Sequence, residues 1–298
     1  MQTRNWGKKN NMAEIVNELS PPESKTALAK RLGISRSALY YQPKLPVKDL
    51  VLKAQIEQVM KKHSAYGHKR IAIELGINKK RVNRVMKLFG IKVKKRRKWH
   101  KKPKDVGTKS MNIPNLILEL NIDRLNQVWV SDFTYLPYFE KFIYLATVED
   151  IFSRKVVGWA VSNRHNTDLV ALALLNATIS NPLPMIIHSD QGSEYRGKEY
   201  LNLLKSLNIK SSMSEKSSPW QNGYQESFYS GFKLELGHPE IYPDLGELIE
   251  AIAGQIYYYN NERIHTALKC PPEVFAQRYK LIKKNPLIKQ AFSVRQPV

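Results

Sequence analysis

The stretch MIIHSDQGSEY, Met185 to Tyr195, opens as a short apolar strand and closes on His188, Asp190 and a glycine-containing turn. A buried run of this length, bounded by turn residues, reads as an interior strand whose polar end reaches the rim of a sheet. Upstream lie three longer strand-like runs, QVWVSDFTYLPYF (127–139), KFIYLATVED (141–150) and SRKVVGWAVS (153–162), rich in β-branched and aromatic residues. A helix, TDLVALALLNATIS, with its cap at Asn166 or Thr167, separates them from MIIHSD. Downstream the order is helix GKEYLNLLKSL, strand IKSSMS and helix NGYQESFYSGFKLEL. Three strands in a meander followed by α, β, α, β, α predict an α/β domain: a mixed sheet with helices on its faces. The tail adds a long helix, DLGELIEAIAGQIYYYNNERIH, and a shorter one near PPEVFAQRYK.

The chain has 298 residues, of which 42% are hydrophobic and 10% aromatic, enough for a substantial core and about two domains. The N-terminal residues MQTRNWGKKNNMAE contain no apolar signal segment, and LVALALLNATI (169–179) is too short to span a bilayer. The expectation is a cytoplasmic protein with no membrane partner, associated with the nucleoid if it binds DNA. Cys270 is the sole cysteine, so no internal disulfide can form, and the histidines lack zinc-finger spacing. A bound metal should therefore have oxygen ligands.

The net charge of +22 is unevenly placed. Residues 1 to 110 carry 29 Lys and Arg against 7 Asp and Glu, whereas residues 111 to 298 carry 19 of each. A neutral body with a strongly basic N-terminal third points to a polyanion, with nucleic acid well ahead of a membrane surface. Within that third, ALAKRLGISRSALY (27–40) and RIAIELGINKKRVN (70–83) repeat at an offset of 43, matching Gly33 with Gly76 and Ser35 with Asn78. Each reads as helix, glycine turn, helix, with the Ser or Asn capping the second helix, which is the helix-turn-helix pattern. Arg36 opens the second helix of the first copy. In the second copy Lys79, Lys80, Arg81, Arg84 and Lys87 surround apolar Val82, Val85 and Met86. An ordinary helical hairpin with a solvated basic face is the bland alternative. The run KVKKRRKWHKKPK (92–104), including Lys95, Arg96 and Arg97, repels itself and reads as an extended arm for phosphates, adding salt-dependent affinity without sequence choice. The expected divisions are 1–91 for DNA binding, with helix-turn-helix units at about 23–41 and 67–90, then a basic linker 92–121, a catalytic core 122–237 and a helical extension 238–298.

Three acids stand out. Asp132 lies inside the first strand, where aspartate is disfavoured; Asp190 ends the fourth; Glu226 sits early in a helix. Singly, turn formation and the helix dipole explain the last two. Together, with 57 residues between Asp132 and Asp190 and 35 between Asp190 and Glu226, they form a pattern. The sequence here resembles the polynucleotidyl transferases with a D, D, 35, E motif, retroviral integrases and bacterial transposases, and most closely the second-frame transposases of the IS-three insertion-sequence family. The blocks that carry the resemblance are QVWVSDFTYL, VEDIFSRKVVGWAVS, HSDQGSEY, SMSEKSSPWQNGYQESFYSGFKLEL and YYNNERIHTAL, within about Glu23 to Gln277. Lys233, seven positions beyond Glu226 and on the same helix face, stands where the family has a basic residue. Gln221 and Glu194 depart from the usual Asp and Gln.

The resemblance implies an RNase H-like catalytic core and a transposase that cleaves element ends and transfers strands into target DNA. It also implies copy-out, paste-in movement through a circular intermediate, a homo-oligomer on paired terminal inverted repeats, and a first-reading-frame partner or fusion. No sustained heptad zipper is present in this chain. Independently of the name, three close carboxylates repel, each pair by about 1 kcal/mol in water at 4 Å and about 4 kcal/mol at an effective dielectric of 20. Two Mg2+ ions, with Mn2+ able to substitute, relieve that repulsion and suit oxygen ligands. Asp132, Asp190 and Glu226 are accordingly the expected metal ligands and catalytic residues, with Lys233 at the DNA beside the cut.

Other residues have two readings. His188 could orient the site, although a structural role is the commoner one for such a histidine. Trp220, Asn222 and Gly223 could form a DNA-touching loop. Tyr257, Tyr258 and Tyr259 could stack on bases, but their helical spacing favours core and surface in turn. Asn260, Arg263 and His265 could contact DNA or pack. Two rival functions remain: a DNA-binding regulator with an inert integrase-like body, and a nuclease of the same fold acting on hybrids or junctions.

Overall fold

A computed structural model describes residues 24–31, 33, 35–39, 45–94, 113–214 and 223–285. Lys95, Arg96, Arg97, Trp220, Gln221 and Asn222 fall outside the described residues. The chain forms two compact units, residues 1–54 and 55–298.

In the first unit, helices α1 (Lys25–Arg31) and α2 (Arg36–Leu39) flank Gly33, whose φ of 65° is the left-handed value expected of the turn. Arg36 is exposed. Helix α3 (Leu45–Lys62) contains the unit boundary.

The second unit repeats the motif with α4 (His68–Glu74) and α5 (Lys79–Leu88), and Gly76 again has a positive φ, 63°. Asn78 caps α5, its Oδ1 accepting from the Lys80 amide at 2.8 Å. Val82, Val85 and Met86 are buried, while Lys79, Lys80, Arg84 and Lys87 are exposed and Arg81 half-buried.

The same unit holds a five-stranded sheet in the order β3-β2-β1-β4-β5, from β1 (Val128–Tyr138), β2 (Lys141–Asp150), β3 (Val156–Ser162), β4 (Ile186–Ser189) and β5 (Lys210–Met213). The first three strands form the antiparallel meander, and β4 and β5 join β1 in parallel. Helix crossovers make the parallel pairings possible, because a parallel connection cannot be made by a tight turn. These helices are α6 (Thr167–Ser180), then α7 (Ser193–Arg196) and α8 (Lys198–Ser206). The α6 cap is Asn166, accepting from the Leu169 amide. One sheet face buries Trp129, Ala146, Val148 and Ile187 against Leu169, Ala173 and Leu174 of α6 and Tyr200 and Leu204 of α8. The other buries Leu136, Ile143 and Leu145 under α9 (Gly223–Leu236) and α10 (Leu245–Asn261), with Phe228, Phe232, Leu248, Ile252 and Tyr259 in the layer. Helix α11 (Pro272–Lys284) adds Phe275 against Phe152.

Two features concern the segments before the sheet. Residues 113–121 fell in the expected linker, yet Ile117 and Leu120, with Ile122, pack against Val128, Val130, Ile151 and Ile186, and the Leu116 amide donates to Ser212 Oγ at 2.8 Å. Spaced apolar residues outweigh the basic run before them. Helices α4 and α5 lie in the compact unit that contains the sheet. Tyr66 Oη accepts from the Ile264 amide at 2.7 Å, Arg70 Nε donates to the Ile264 carbonyl at 2.9 Å, and His63 Nδ1 meets Tyr258 Oη at 2.7 Å.

Candidate active site

The positions of Asp132 and Asp190 follow from strand register. Val130 on β1 lies opposite His188 on β4 in parallel alignment, so two residues further along each strand come Asp132 and Asp190. Adjacent strands are about 4.8 Å apart, so the two carboxylates emerge side by side beyond the paired part of the ladder. In open α/β sheets, ligand crevices lie beyond the carboxyl ends of parallel strands. Each aspartate is held by a backbone amide: Phe133 N–H donates to Asp132 Oδ1 at 2.8 Å, and Gly192 N–H to Asp190 Oδ1 at 2.9 Å. Gly192 cannot gain a side chain without crowding, because a Cβ would lie 2.9 Å from Glu194 Oε2 and 3.0 Å from Asp190 Oδ1.

Residues paired across β1 and β2 share a face, and Leu136 of β1 packs on the face covered by α9, so Asp132, an even number of residues away on the strand, lies on that face. Glu226 lies in the first turn of α9. Its neighbours fix that helix over the strand: buried Gln225 donates from Nε2 to the Val130 carbonyl at 3.0 Å and accepts from Thr147 Oγ1 at 3.1 Å. Tyr229 Oη donates to the Asp132 carbonyl at 2.6 Å and lies 2.8 Å from Thr147 Oγ1. Burial holds the Tyr229 phenol neutral, well above its ordinary pKa, so it remains a donor. Lys233 Nζ lies 4.7 Å from the centre of the Tyr135 ring, on the strand that carries Asp132.

Burial raises the Asp132 carboxyl well above the usual range, and the charges of Asp190 and Glu226 raise it further, against the Phe133 amide and Lys233. Burial also raises Asp190; the Gly192 amide and Arg196 oppose the shift, while Glu194 adds to it. Glu194, noted in the sequence as a departure, is itself buried and paired with His165 Nδ1 at 2.8 Å.

Among the described residues no three Asp, Glu, His or Cys side chains are gathered closely enough to form a ready metal cage. The arrangement is an aspartate pair with the exposed Glu226 acting on it electrostatically from the helix. An all-oxygen, partly open donor set fits Mg2+ or Mn2+, which keep several waters and bind through one or two carboxylates plus substrate phosphate. It does not suit a soft metal.

His188 is fully buried and hydrogen-bonded through Nδ1 to Ser212 Oγ at 2.9 Å, and burial lowers its pKa to about 4. The three tyrosines divide: Tyr257 is exposed, Tyr258 meets His63, and Tyr259 is core. Asn260 packs, its Oδ1 and Nδ2 each 2.9 Å from the backbone N and O of Val156. Arg263 pairs with Glu235 at 2.6 Å, and His265 is half-buried. Gln225, Tyr229 and Thr147 are the positioning residues that spacing alone does not single out. The available signal was the helical spacing of Gln225, Phe228, Tyr229 and Phe232, which puts Gln225 and the Tyr229 hydroxyl on the buried face of α9.

Two Integrase core domain profiles match residues 123–219 and 207–272. The transposase for insertion sequence element IS904 of Lactococcus lactis subsp. lactis (strain IL1403) is 38% identical over 228 residues, covering 73% of this chain and 90% of that protein. Transposase InsF for insertion sequence IS3A of Escherichia coli (strain K12) is 33% identical over 184 residues, covering 59% of this chain and 63% of that protein. Among solved structures, the magnesium complex of the HTLV-2 integrase catalytic core domain matches at 20% identity and a TM-score of 0.40, covering 51% of this chain and 96% of that one.

Proposed function

The chain belongs to the IS-three (IS3) insertion-sequence transposases with an integrase core, and from that membership we propose how its residues divide the work of moving DNA. It is a DDE polynucleotidyl transferase that cuts and joins DNA strands at insertion-sequence ends. Asp132, Asp190 and Glu226 are the catalytic carboxylates and hold two Mg2+ ions, for which Mn2+ substitutes. The observation that carries this reading is the register placing Asp132 beside Asp190 under the helix that Gln225 and Tyr229 lock to β1.

The chemistry supplied by the bound ions is activation of the attacking oxygen and stabilisation of the leaving one in an in-line displacement. The chain's own groups prepare the geometry. The amides of Phe133 and Gly192 fix one oxygen of each aspartate. Tyr229 and Gln225 hold the helix that carries Glu226 at one height above the strand. Lys233 contacts phosphate beside the cut. The attacking oxygen belongs to water in cleavage and to a DNA 3'-hydroxyl in strand transfer, so no protein nucleophile is required.

Residues 1–91 grip the terminal inverted repeats. In this assignment Arg36, Lys79, Lys80, Arg81 and Arg84 face the duplex and Lys95, Arg96 and Arg97 contact phosphates. The core at 122–237 and the extension at 238–298 follow the basic segment. The protein works as a homo-oligomer on paired ends, with a first-reading-frame partner or fusion, in the cytoplasm at the nucleoid. Among the described residues no helix is long and apolar enough to cross a membrane. The test supplies the full chain and its first-frame partner with labelled element ends in Mg2+, Mn2+ or no divalent ion. Joined product in either metal and none without it is expected; hydrolysis with no joined product contradicts the reading.

A further inference from the structure

Beside α9 lies a cavity of about 730 Å3, within the size range of small-ligand sites. Its polar lining includes Arg70, Glu149, Arg154, Tyr224, Arg263 and His265. Six buried side-chain polar atoms lack a hydrogen-bond partner among the described residues, and four of them belong to this lining: Glu149 Oε2, Arg154 Nε, Arg154 Nη1 and His265 Nδ1. A buried group left unpaired costs about 1 to 3 kcal/mol, and a charged one more. These groups cluster beside one space, where a ligand could supply Arg154 with the partner it lacks among the described residues.

The charge of the lining selects the ligand. Of three guanidiniums, Arg263 is neutralised by Glu235 at 2.6 Å, Arg70 spends Nε on the Ile264 carbonyl, and Arg154 makes no ion pair with an acid among the described residues. Burial raises Glu149 to a pKa of about 8 and lowers His265 to about 4, so near pH 7 both are predominantly neutral. The cavity therefore presents positive charge with little to repel an anion. Exposed aromatic surface comes from Tyr224, with buried Phe228 and Tyr259 behind it, and the Arg154 guanidinium lies 3.8 Å from the centre of the Tyr224 ring.

Arg154 reaches this place through a left-handed backbone, φ 61°, unfavourable for any residue with a Cβ. Strain of that kind persists where surrounding structure over-determines it, commonly at ligand sites. Gly223, Tyr224, Ser227 and Phe228 of α9 line the cavity, whereas Gln225 and Tyr229 of the same helix bond to β1.

We propose that this cavity is a second DNA subsite that takes one unpaired nucleotide of the element end, its phosphate on Arg154 and its base on the exposed ring of Tyr224. The proposal rests on the transposase reading above. Such a subsite recognises a nucleotide released from pairing, by charge and stacking together.

The test measures binding of the full chain, without divalent ion, to labelled element ends that are either fully paired or carry a short unpaired overhang. Wild type should bind the overhang end more tightly. Arg154→Ala should weaken that binding by roughly 10- to 100-fold and reduce its salt dependence by about one phosphate contact. Arg154→Lys, which keeps the charge and loses the planar fork, should keep the salt slope while losing part of the affinity. Thermal unfolding of each variant separates misfolding from lost contact, with Arg154→Lys as the milder probe. Equal binding of both ends by wild type, or overhang binding indifferent to folded Arg154→Ala and Arg154→Lys, overturns the subsite. Asp190→Asn distinguishes this from failure of the catalytic reading: persistent strand transfer there would sink the triad and leave the subsite intact.

Discussion

Replacing Glu149 by glutamine should stabilise the protein increasingly as pH rises. Glu149 lies on β2 opposite Val130, almost wholly buried, with Oε2 unpartnered among the described residues. Burial raises its pKa from 4.5 to about 8, with Asp150 adding to the shift and Arg154 opposing it. Between those values the folded chain keeps a proton that the unfolded chain has released, so stability falls as pH rises and levels off above pH 8. One pKa unit corresponds to about 1.4 kcal/mol, and integrating the two titrations from pH 6 to pH 8 gives a loss of about 2 kcal/mol from this residue. Glutamine is nearly isosteric and does not titrate, so Glu149→Gln removes the slope. Urea unfolding of both proteins at half-unit intervals from pH 5.5 to 9 measures the difference. The variant's advantage should widen by about 2 kcal/mol between pH 6 and 8 and then flatten. Parallel profiles would mean that Glu149 ionises normally and that the environment inferred for it is wrong.

Three other substitutions probe the frame around the carboxylates. Tyr229→Phe removes the hydroxyl that bonds to the Asp132 carbonyl and Thr147, and should cost about 1 to 3 kcal/mol in urea unfolding while lowering strand-transfer rate more than DNA affinity. Gln225→Leu leaves the Val130 carbonyl and Thr147 hydroxyl without this partner; a similar or larger destabilisation is expected, and unchanged unfolding would count against the anchoring role. Asn260→Ala breaks both bonds to Val156 and should destabilise by about 2 kcal/mol with little effect on the salt dependence of DNA binding, since the side chain packs instead of facing DNA.

Local signals were legible in the sequence wherever one residue type answers one backbone demand. Gly33 and Gly76 occupy the left-handed turns, Asn78 and Asn166 cap their helices, and the β-branched and aromatic runs QVWVSDFTYLPYF and KFIYLATVED yield paired strands. The aspartate pair was legible through spacing, and β4 pairing with β1 gives that spacing its physical meaning. Long-range polar contacts were hidden because they leave no periodicity. Tyr66 and Arg70 bond to the backbone of Ile264, nearly two hundred residues away, and so the second helix pair could be read only as part of the basic third. Gln225 and Tyr229 read as ordinary helix residues until the strand beneath them is known. Glu149 stands in the strand-like run KFIYLATVED with nothing to single it out, yet burial turns it into a neutral acid lining a cavity.

The central claim is that Asp132, Asp190 and Glu226 together carry the chemistry. Its most direct test compares Asp132→Asn, Asp190→Asn and Glu226→Gln with wild type in a strand-transfer assay on labelled element ends with Mg2+ and the first-frame partner, alongside DNA binding without divalent ion. Each variant should bind the ends about as wild type does and yield neither cleaved nor joined product. Joined product from any one of the three, at a rate comparable to wild type, would contradict the account.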